Sequence, residues 1–178
     1  MTASSIASPD IVAERLRLRT PTMADAPAIA RLASDYAVSS MTTRMPYPYD
    51  IADARAFIAH VQVLDAEREI TFVVDHKDAG PIGCLGFHRD SQGRLELGYW
   101  LGRPHWGKGL ATEAARASLR WAANDWGRRI VYSGHFADND ASGSVLVKSG
   151  FIYTGVVEQR FSRARREPVA TRMMVWLA

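Results

Sequence analysis

The sequence predicts a single α+β domain, and three observations predict it. Residues 95–101 alternate, with Leu95, Leu97, Tyr99 and Leu101 on one side and Glu96, Gly98 and Trp100 on the other, the period of a half-buried strand. After Gly102-Arg103-Pro104 the period changes. Leu110, Ala111, Ala114, Ala115, Ser118, Leu119 and Ala122 recur at helical spacing, leaving Glu113, Arg116 and Arg120 on the far side, as in an amphipathic helix. Short alternating segments separated by turn residues lie to both sides of this pair, with no internal repeat or linker. A chain of 178 residues is long enough for one full core.

In order, residues 1–9 are small and polar and read as a flexible N-terminal tail; residues 10–178 form the domain. Arg15-Leu16-Arg17-Leu18-Arg19 alternates as a first strand, an edge strand if its arginines face water. A solvated arginine face is favoured there over a nucleic-acid contact. Thr22-Met23-Ala24-Asp25 has capping-box spacing, and Ile29, Leu32, Ala33 and Tyr36 continue one face of a first helix. Pro46-Tyr47-Pro48-Tyr49 breaks the chain, and Asp50 caps a second helix with Ala54, Phe57, Ile58 and Val61 along one stripe. Residues 70–74 and 82–88 read as consecutive strands around a turn at Asp78-Ala79-Gly80-Pro81. Asp90-Ser91-Gln92-Gly93 closes a hairpin into the strand at Leu95. Beyond the long helix come a strand over residues 129–135, a short helix carrying Val145 and Leu146, and a strand starting over 151–157. A charged turn at Arg163-Ala164-Arg165-Arg166 and a last strand over 169–177 complete the chain.

Composition narrows the function classes. Hydrophobic residues make up 47% and charged residues 23%, ordinary for a globular protein. No apolar run has membrane-spanning length, and residues 1–10 lack the basic and apolar regions of a signal peptide. The lone Cys84 excludes an internal disulfide. The five histidines, His60, His76, His88, His105 and His135, show no paired spacing, so no metal is expected. A net charge of +3 does not indicate nucleic acid. The cytoplasm is the expected compartment.

The joint between strand and long helix holds Gly107-Lys108-Gly109. Side-chain-free residues at a helix mouth expose unpaired N–H groups and the positive end of the helix dipole, which suits a phosphate or pyrophosphate; the same glycines also permit a tight turn. Gly102 to Lys108 fits the opening of a Walker-type loop, but Gly109 stands where that motif needs Ser or Thr for magnesium. The bulky Arg103-Pro104-His105-Trp106 also suits such a loop poorly.

The run Trp106-Gly107-Lys108-Gly109-Leu110-Ala111 resembles the signature of the GNAT acyl-CoA N-acetyltransferases, Gln/Arg-x-x-Gly-x-Gly/Ala, with Trp106 in place of Gln or Arg. A second anchor, Asn139 to Phe151 with Lys148-Ser149-Gly150-Phe151, is similar to the family's pattern of Asn, a small residue three on, then Lys-x-Gly-Phe. Trp106, the following Ala-Thr-Glu-Ala and the loop Pro46-Tyr47-Pro48-Tyr49-Asp50 resemble the branch that acetylates ribosomal-protein N-termini, the RimJ/RimL-like enzymes. The resemblance covers residues 14–177. It implies the GNAT fold, a single mixed, mostly antiparallel twisted sheet flanked by helices, and an acetyl-CoA-dependent transfer to a primary amine, with no metal. It also implies cofactor contacts at Tyr99, Trp100, Leu101, Trp106, Gly107, Lys108, Gly109, Leu110, Ala111, Thr112 and Asn139. The expected acceptor is a protein N-terminal α-amine. The alternatives are a small-molecule amine (polyamine, amino acid or antibiotic) and a non-catalytic acyl-CoA-binding module. The protein is expected as a monomer or homodimer, without membrane or nucleic-acid partners.

Acetyl transfer needs a neutral nitrogen, a proton acceptor and a group to steady the departing thiolate. An α-amine, with a pKa of about 7.8, is roughly a tenth neutral at pH 7; a lysine at about 10.4 is almost wholly charged. Glu96, on the strand entering the cofactor turn, is the candidate base, acting through water as the family often does; it reads equally as a solvent-facing strand residue. The Tyr that many GNAT enzymes place on the short helix falls by alignment at Leu146. Ser142, one helical turn earlier, is therefore the candidate donor to the thiolate, or else a first-turn residue serving the backbone. Tyr153 is a substitute acid or a residue packed on the sheet. Asn139 caps the short helix. His135 is expected at the surface, at the edge of the cleft, and Trp100 and Trp106 either in the core or against the cofactor. The arginines at 160, 163, 165 and 166 read as a soluble charged hairpin, or as a surface for an acidic partner.

Overall fold

The computed structural model describes residues 9–178, so the expected tail lies outside the described residues except for Pro9. The elements are β1 (Ile11–Val12), β2 (Leu16–Arg19), α1 (Ala26–Ala33), α2 (Tyr36–Ser39), α3 (Ile51–Gln62), β3 (Ile70–His76), β4 (Gly80–Arg89), β5 (Leu95–Leu101), α4 (Leu110–Asn124), β6 (Ile130–Phe136), α5 (Asp140–Lys148), β7 (Ile152–Ser162) and β8 (Glu167–Leu177). One eight-stranded sheet runs β1-β2-β3-β4-β5-β6-β8-β7. All neighbours are antiparallel except β5 and β6, which are parallel and paired only at Glu96 and Tyr132. With so short a ladder the two strands diverge, and the sheet is open at its centre.

Local chemistry sets the helix starts. Thr22 and Asp25 form a reciprocal capping box before α1, and Asp50 caps α3 by accepting the N–H groups of Ala52 and Asp53 at 2.7 and 3.0 Å. Alternation along the strands then sorts side chains onto two cores. Leu16, Leu18, Phe72, Val74, Leu85, Phe87 and Leu97 pack beneath the buried stripe of α4 (Leu110, Ala114, Ala115, Leu119, Ala122). On the opposite face Val73 and Cys84 meet Ile29 and Ala33 of α1, Val38 of α2 and Ala54 and Ile58 of α3.

Four expectations need correction. A short strand, Ile11–Val12, precedes the first expected one and takes the sheet edge. Tyr36 does not continue α1; that helix ends at Ser34, and Tyr36 is 47% exposed, with its ring edge-on to Tyr47. The arginines at 15, 17 and 19 are not merely solvated: Arg15 pairs with Glu113, Arg17 with Asp10, and Arg19 with Asp25 and Asp75. Glu113, expected on the solvent side of α4, is thereby turned onto the start of β2.

Candidate active site

A cavity of about 1040 Å³ passes through the opening between β5 and β6. One end is formed by the loop into α4 and the start of α5, the other by α3, β3 and β4 and the turn between β7 and β8.

The first end is largely backbone. Gly107 and Gly109 have φ of 70° and 74°, the left-handed region that glycine enters without steric cost. Gly109 is the N-cap of α4 and its carbonyl accepts the Glu113 N–H at 3.0 Å. The N–H groups of the first turn of a helix have no intrahelical partner, and Leu110, Ala111 and Thr112 line the cavity beside Gly107 and Gly109. A Cβ at Gly107 would meet nothing within 4 Å. These features fit a pyrophosphate-sized anion. Trp106, 44% exposed, is fixed by an indole N–H donated to the Leu101 carbonyl at 2.7 Å. Lys108 is the one residue of the loop set that does not line the cavity; its ammonium donates to the Pro104 carbonyl at 2.8 Å. From behind, Arg15 donates to the Lys108 carbonyl at 3.0 Å, while its backbone N–H and Nε both donate to Glu113 at 2.7 Å.

At the centre, the β5 residues Tyr99, Trp100 and Leu101 face Asn139 and Ser142 of the α5 start across the cavity. Asn139 caps α5, accepting the Ser142 N–H at 3.1 Å. The Tyr99 hydroxyl lies 2.8 Å from Ser142 Oγ and 3.1 Å from the Ser142 carbonyl. Burial pushes the Tyr99 phenol up to about 12, partly opposed by the bond to Ser142, so it stays protonated at neutral pH. When Tyr99 donates to Ser142 Oγ, the serine proton is free to point into the cavity. Leu146 is fully buried in the α4-side core; the α5 side chain that lines the cavity nearby is Val145. The phenol beside Ser142 thus comes from β5 and not from α5.

His135, expected at the surface, is 4% exposed. Its Nδ1 faces the Phe136 carbonyl at 2.8 Å, which requires the proton on Nδ1, and its Nε2 then accepts the Tyr153 hydroxyl at 2.9 Å. A Cβ at Gly143 would come within 2.8 Å of His135 Nε2 and 3.0 Å of the Tyr153 oxygen. α5 therefore sits down on this pair at a glycine.

At the far end, Glu96 is gripped by both Nη atoms of Arg160 at 2.5 and 2.9 Å. Arg160 also donates to Glu158, which binds Arg94, which in turn binds Asp90. Burial works against the Arg160 charge, but Glu96 and then Glu158 more than offset it and raise its pKa. Glu69 and Asp53 are engaged as well, accepting the backbone N–H groups of Arg89 and Asp50. The Arg160 partnership was hidden in the sequence among the hairpin arginines.

The family model for the acetyltransferase (GNAT) domain matches residues 15–152. The chain is a GNAT acetyltransferase. Among relatives of this GNAT enzyme, the uncharacterized N-acetyltransferase YoaA of Bacillus subtilis is 30% identical over 158 residues, covering 85% of this chain and 87% of that protein. The uncharacterized N-acetyltransferase p20 of Bacillus licheniformis is 37% identical over 108 residues, 58% of this chain and 60% of that protein. In structure, the ribosomal α-N-protein acetyltransferase RimL in complex with coenzyme A superposes with a TM-score of 0.82 at 18% identity, over 95% of this chain and 98% of that one. A Vibrio cholerae spermidine N-acetyltransferase gives 0.75 at 19% identity, over 92% and 95%. At such identities the likeness is one of fold, and the GNAT enzyme's acceptor has to be argued from its own cleft.

Proposed function

We propose that this GNAT enzyme transfers the acetyl group of acetyl-CoA to α-amines, protein N-termini in particular. The observation that carries the reading is the state of the carboxylates at the acceptor end: Asp90 and Glu96 are each paired with an arginine, and Asp53 and Glu69 each accept a backbone N–H. A polyamine needs carboxylates free to receive several ammonium groups; an α-amine, partly neutral at physiological pH, needs far less help. Curated relatives include the ribosomal-protein-serine acetyltransferase of Escherichia coli, 33% identical over 81 residues.

In this reading the glycine loop and the first turn of α4 bind the pyrophosphate through backbone N–H groups, and Asn139 holds the arm that follows. Acetyl-CoA supplies the activated acetyl carbon. Ser142, its acceptor lone pairs used by Tyr99, directs its own proton to the sulfur that leaves. Glu96, ion-paired with Arg160, stands at the acceptor end, and the nitrogen becomes strongly acidic once bonded to the acetyl carbon. A carboxylate one water away suffices to collect the proton at that point.

Thiol release measured with acetyl-CoA against peptides beginning Ser or Ala, spermidine, free amino acids and an aminoglycoside tests the reading. Peptides are expected to exceed the small amines in kcat/KM by at least about tenfold. Spermidine or an aminoglycoside as the best acceptor would overturn it. Tight acetyl-CoA binding with no turnover of any amine would favour a binding module.

A further inference from the structure

Thr71 of β3, Gly86 of β4 and Gly98 of β5 are paired in register and form one row across the sheet, and all three line the cavity. A Cβ at Gly98 would meet nothing within 4 Å, so this point of the row is open cleft, beside Tyr99 at the reaction centre. One strand spacing away, about 5 Å, the surroundings of Gly86 are different. A Cβ there would come 2.8 Å from His88 Nε2, 2.9 Å from the Ile70 carbonyl and 2.9 Å from Thr71 Oγ1. Three polar atoms converge over a residue without a side chain.

Two of these atoms are in unusual states. Thr71 is 6% exposed, and its hydroxyl is buried with no hydrogen-bond partner among the described residues. Buried polar groups are almost always paired, and an exception calls for a reason. Burial, and after it the charge of Arg44, pushes His88 down to about 4. Its imidazole is therefore neutral at physiological pH and offers a hydrogen bond without repelling an approaching amine. A hydroxyl group satisfies such a niche: it can donate to His88 Nε2 or to the carbonyl while accepting from Thr71. A methyl group would leave the Thr71 hydroxyl buried and unpaired, and the one carboxylate that acts on His88, Glu69, already accepts the Arg89 N–H.

We propose that Thr71, Gly86 and His88 form an acceptor subsite for a hydroxyl group carried on the carbon next to the amine-bearing carbon. The preferred substrates are then β-hydroxy amines, an amino-terminal serine among them. The subsite rests on the acetyltransferase activity of the cleft, and it deepens the N-terminal reading without depending on peptides as acceptors. A site built to hydrogen-bond a hydroxyl discriminates strongly against the analogue that lacks it, whereas an apolar pocket barely rejects an added one.

The test uses matched acceptor pairs with the full-length enzyme and acetyl-CoA: Ser- against Ala-starting peptides, serinamide against alaninamide, and ethanolamine against ethylamine. The hydroxylated member of each pair is expected to have a kcat/KM at least about tenfold higher. Thr71→Val, which keeps the shape and removes the hydroxyl, should bring that ratio close to one; His88→Leu should reduce it as well. Equal kcat/KM within every pair, or a ratio retained in folded Thr71→Val, overturns the subsite. A preference that holds among the small amines while peptides are not acetylated keeps the subsite and removes the N-terminal reading. Independently of turnover, a high-resolution crystal structure of the unliganded protein should show an ordered solvent oxygen bonded to both Thr71 Oγ1 and His88 Nε2. An empty niche, or a Thr71 hydroxyl turned to a backbone carbonyl, overturns the proposal.

Discussion

The two ends of the cleft are built from different materials. Around Gly107 to Thr112 the contacts offered to a ligand are backbone N–H groups fixed by two left-handed glycines and the start of α4. Around Glu96 they are side chains: Glu96 of β5, Arg160 and Glu158 of β7 and Arg94 hold one another in place, with His88 of β4 and Thr71 of β3 in the same cavity. Backbone donors depend on local conformation and tolerate variation in neighbouring side chains. A side-chain lattice spread over distant elements can be retuned by one substitution, so the side-chain end is free to diverge while the backbone end stays constant. This accords with fold neighbours that are named for a ribosomal protein and for spermidine.

The sharpest way to break the comparison is at Gly98, which stands between the two ends. Because an added side chain there meets only open space, Gly98→Val is expected to fold with a melting temperature close to the parent's. It should nonetheless lose at least about a hundredfold in kcat/KM by misplacing the reactants. A stable variant with parental turnover would show that the reaction occurs elsewhere. Gly109→Val is the converse: its φ of 74° is costly for a branched residue, and calorimetry should show weaker acetyl-CoA binding. An unchanged affinity in the folded variant would remove the loop from cofactor binding.

At the centre, Ser142→Ala should lower kcat by about ten- to a hundredfold, the effect of one hydrogen bond lost from a developing charge, with acetyl-CoA affinity nearly intact. Tyr99→Phe should act through the same bond, so the double variant is expected to lose much less than the product of the two single effects. Fully multiplicative losses would separate the two hydroxyls.

A smaller effect is expected at the acceptor end. Glu96→Gln should slow turnover about tenfold near pH 7 and recover as the pH rises and the amine deprotonates unaided. A pH–rate profile parallel to the parent's would leave Glu96 as the structural partner of Arg160 alone.

The last effect concerns stability and not turnover. The folded-state pKa of His88, about 4, lies below the ordinary 6.5, so the unfolded chain takes up the proton first. The stability tied to the neutral imidazole is complete above pH 6.5 and is lost as the pH falls towards 4. Between pH 7 and pH 5 the parent should lose about 2 kcal/mol more than His88→Gln in urea unfolding. Equal losses would mean that the imidazole is solvated.

The same division between backbone and side chains explains what was legible in the sequence. Glycines at 107 and 109 between a period-two and a period-3.6 segment announce a strand–turn–helix, because these signals are local. Asn139 was likewise readable as a helix cap, whereas Ser142 was singled out only because the family resemblance puts a tyrosine one turn further along the same helix, at Leu146. Glu96 and Arg160 are 64 residues apart, and Tyr99 and Ser142 43 apart, so no local period joins them. His135 follows the alternation of β6, but alternation does not say which face is covered, and the surface expectation failed there. Leu146 aligned with a catalytic position and proved to be core, because α5 turns Val145 towards the cavity and Leu146 towards α4.

The clasp of Arg15 on Glu113 and the Lys108 carbonyl ties the beginning of the sheet to the loop entering α4. The backbone N–H of Arg15 is donated to a carboxylate one turn inside α4, so its exchange with solvent deuterium is governed by how firmly that first turn is seated. An anion drawn onto the loop should slow the exchange of an amide that never touches it. Arg15 is in that sense a built-in reporter of anion occupancy at the loop, readable by hydrogen–deuterium exchange and mass spectrometry.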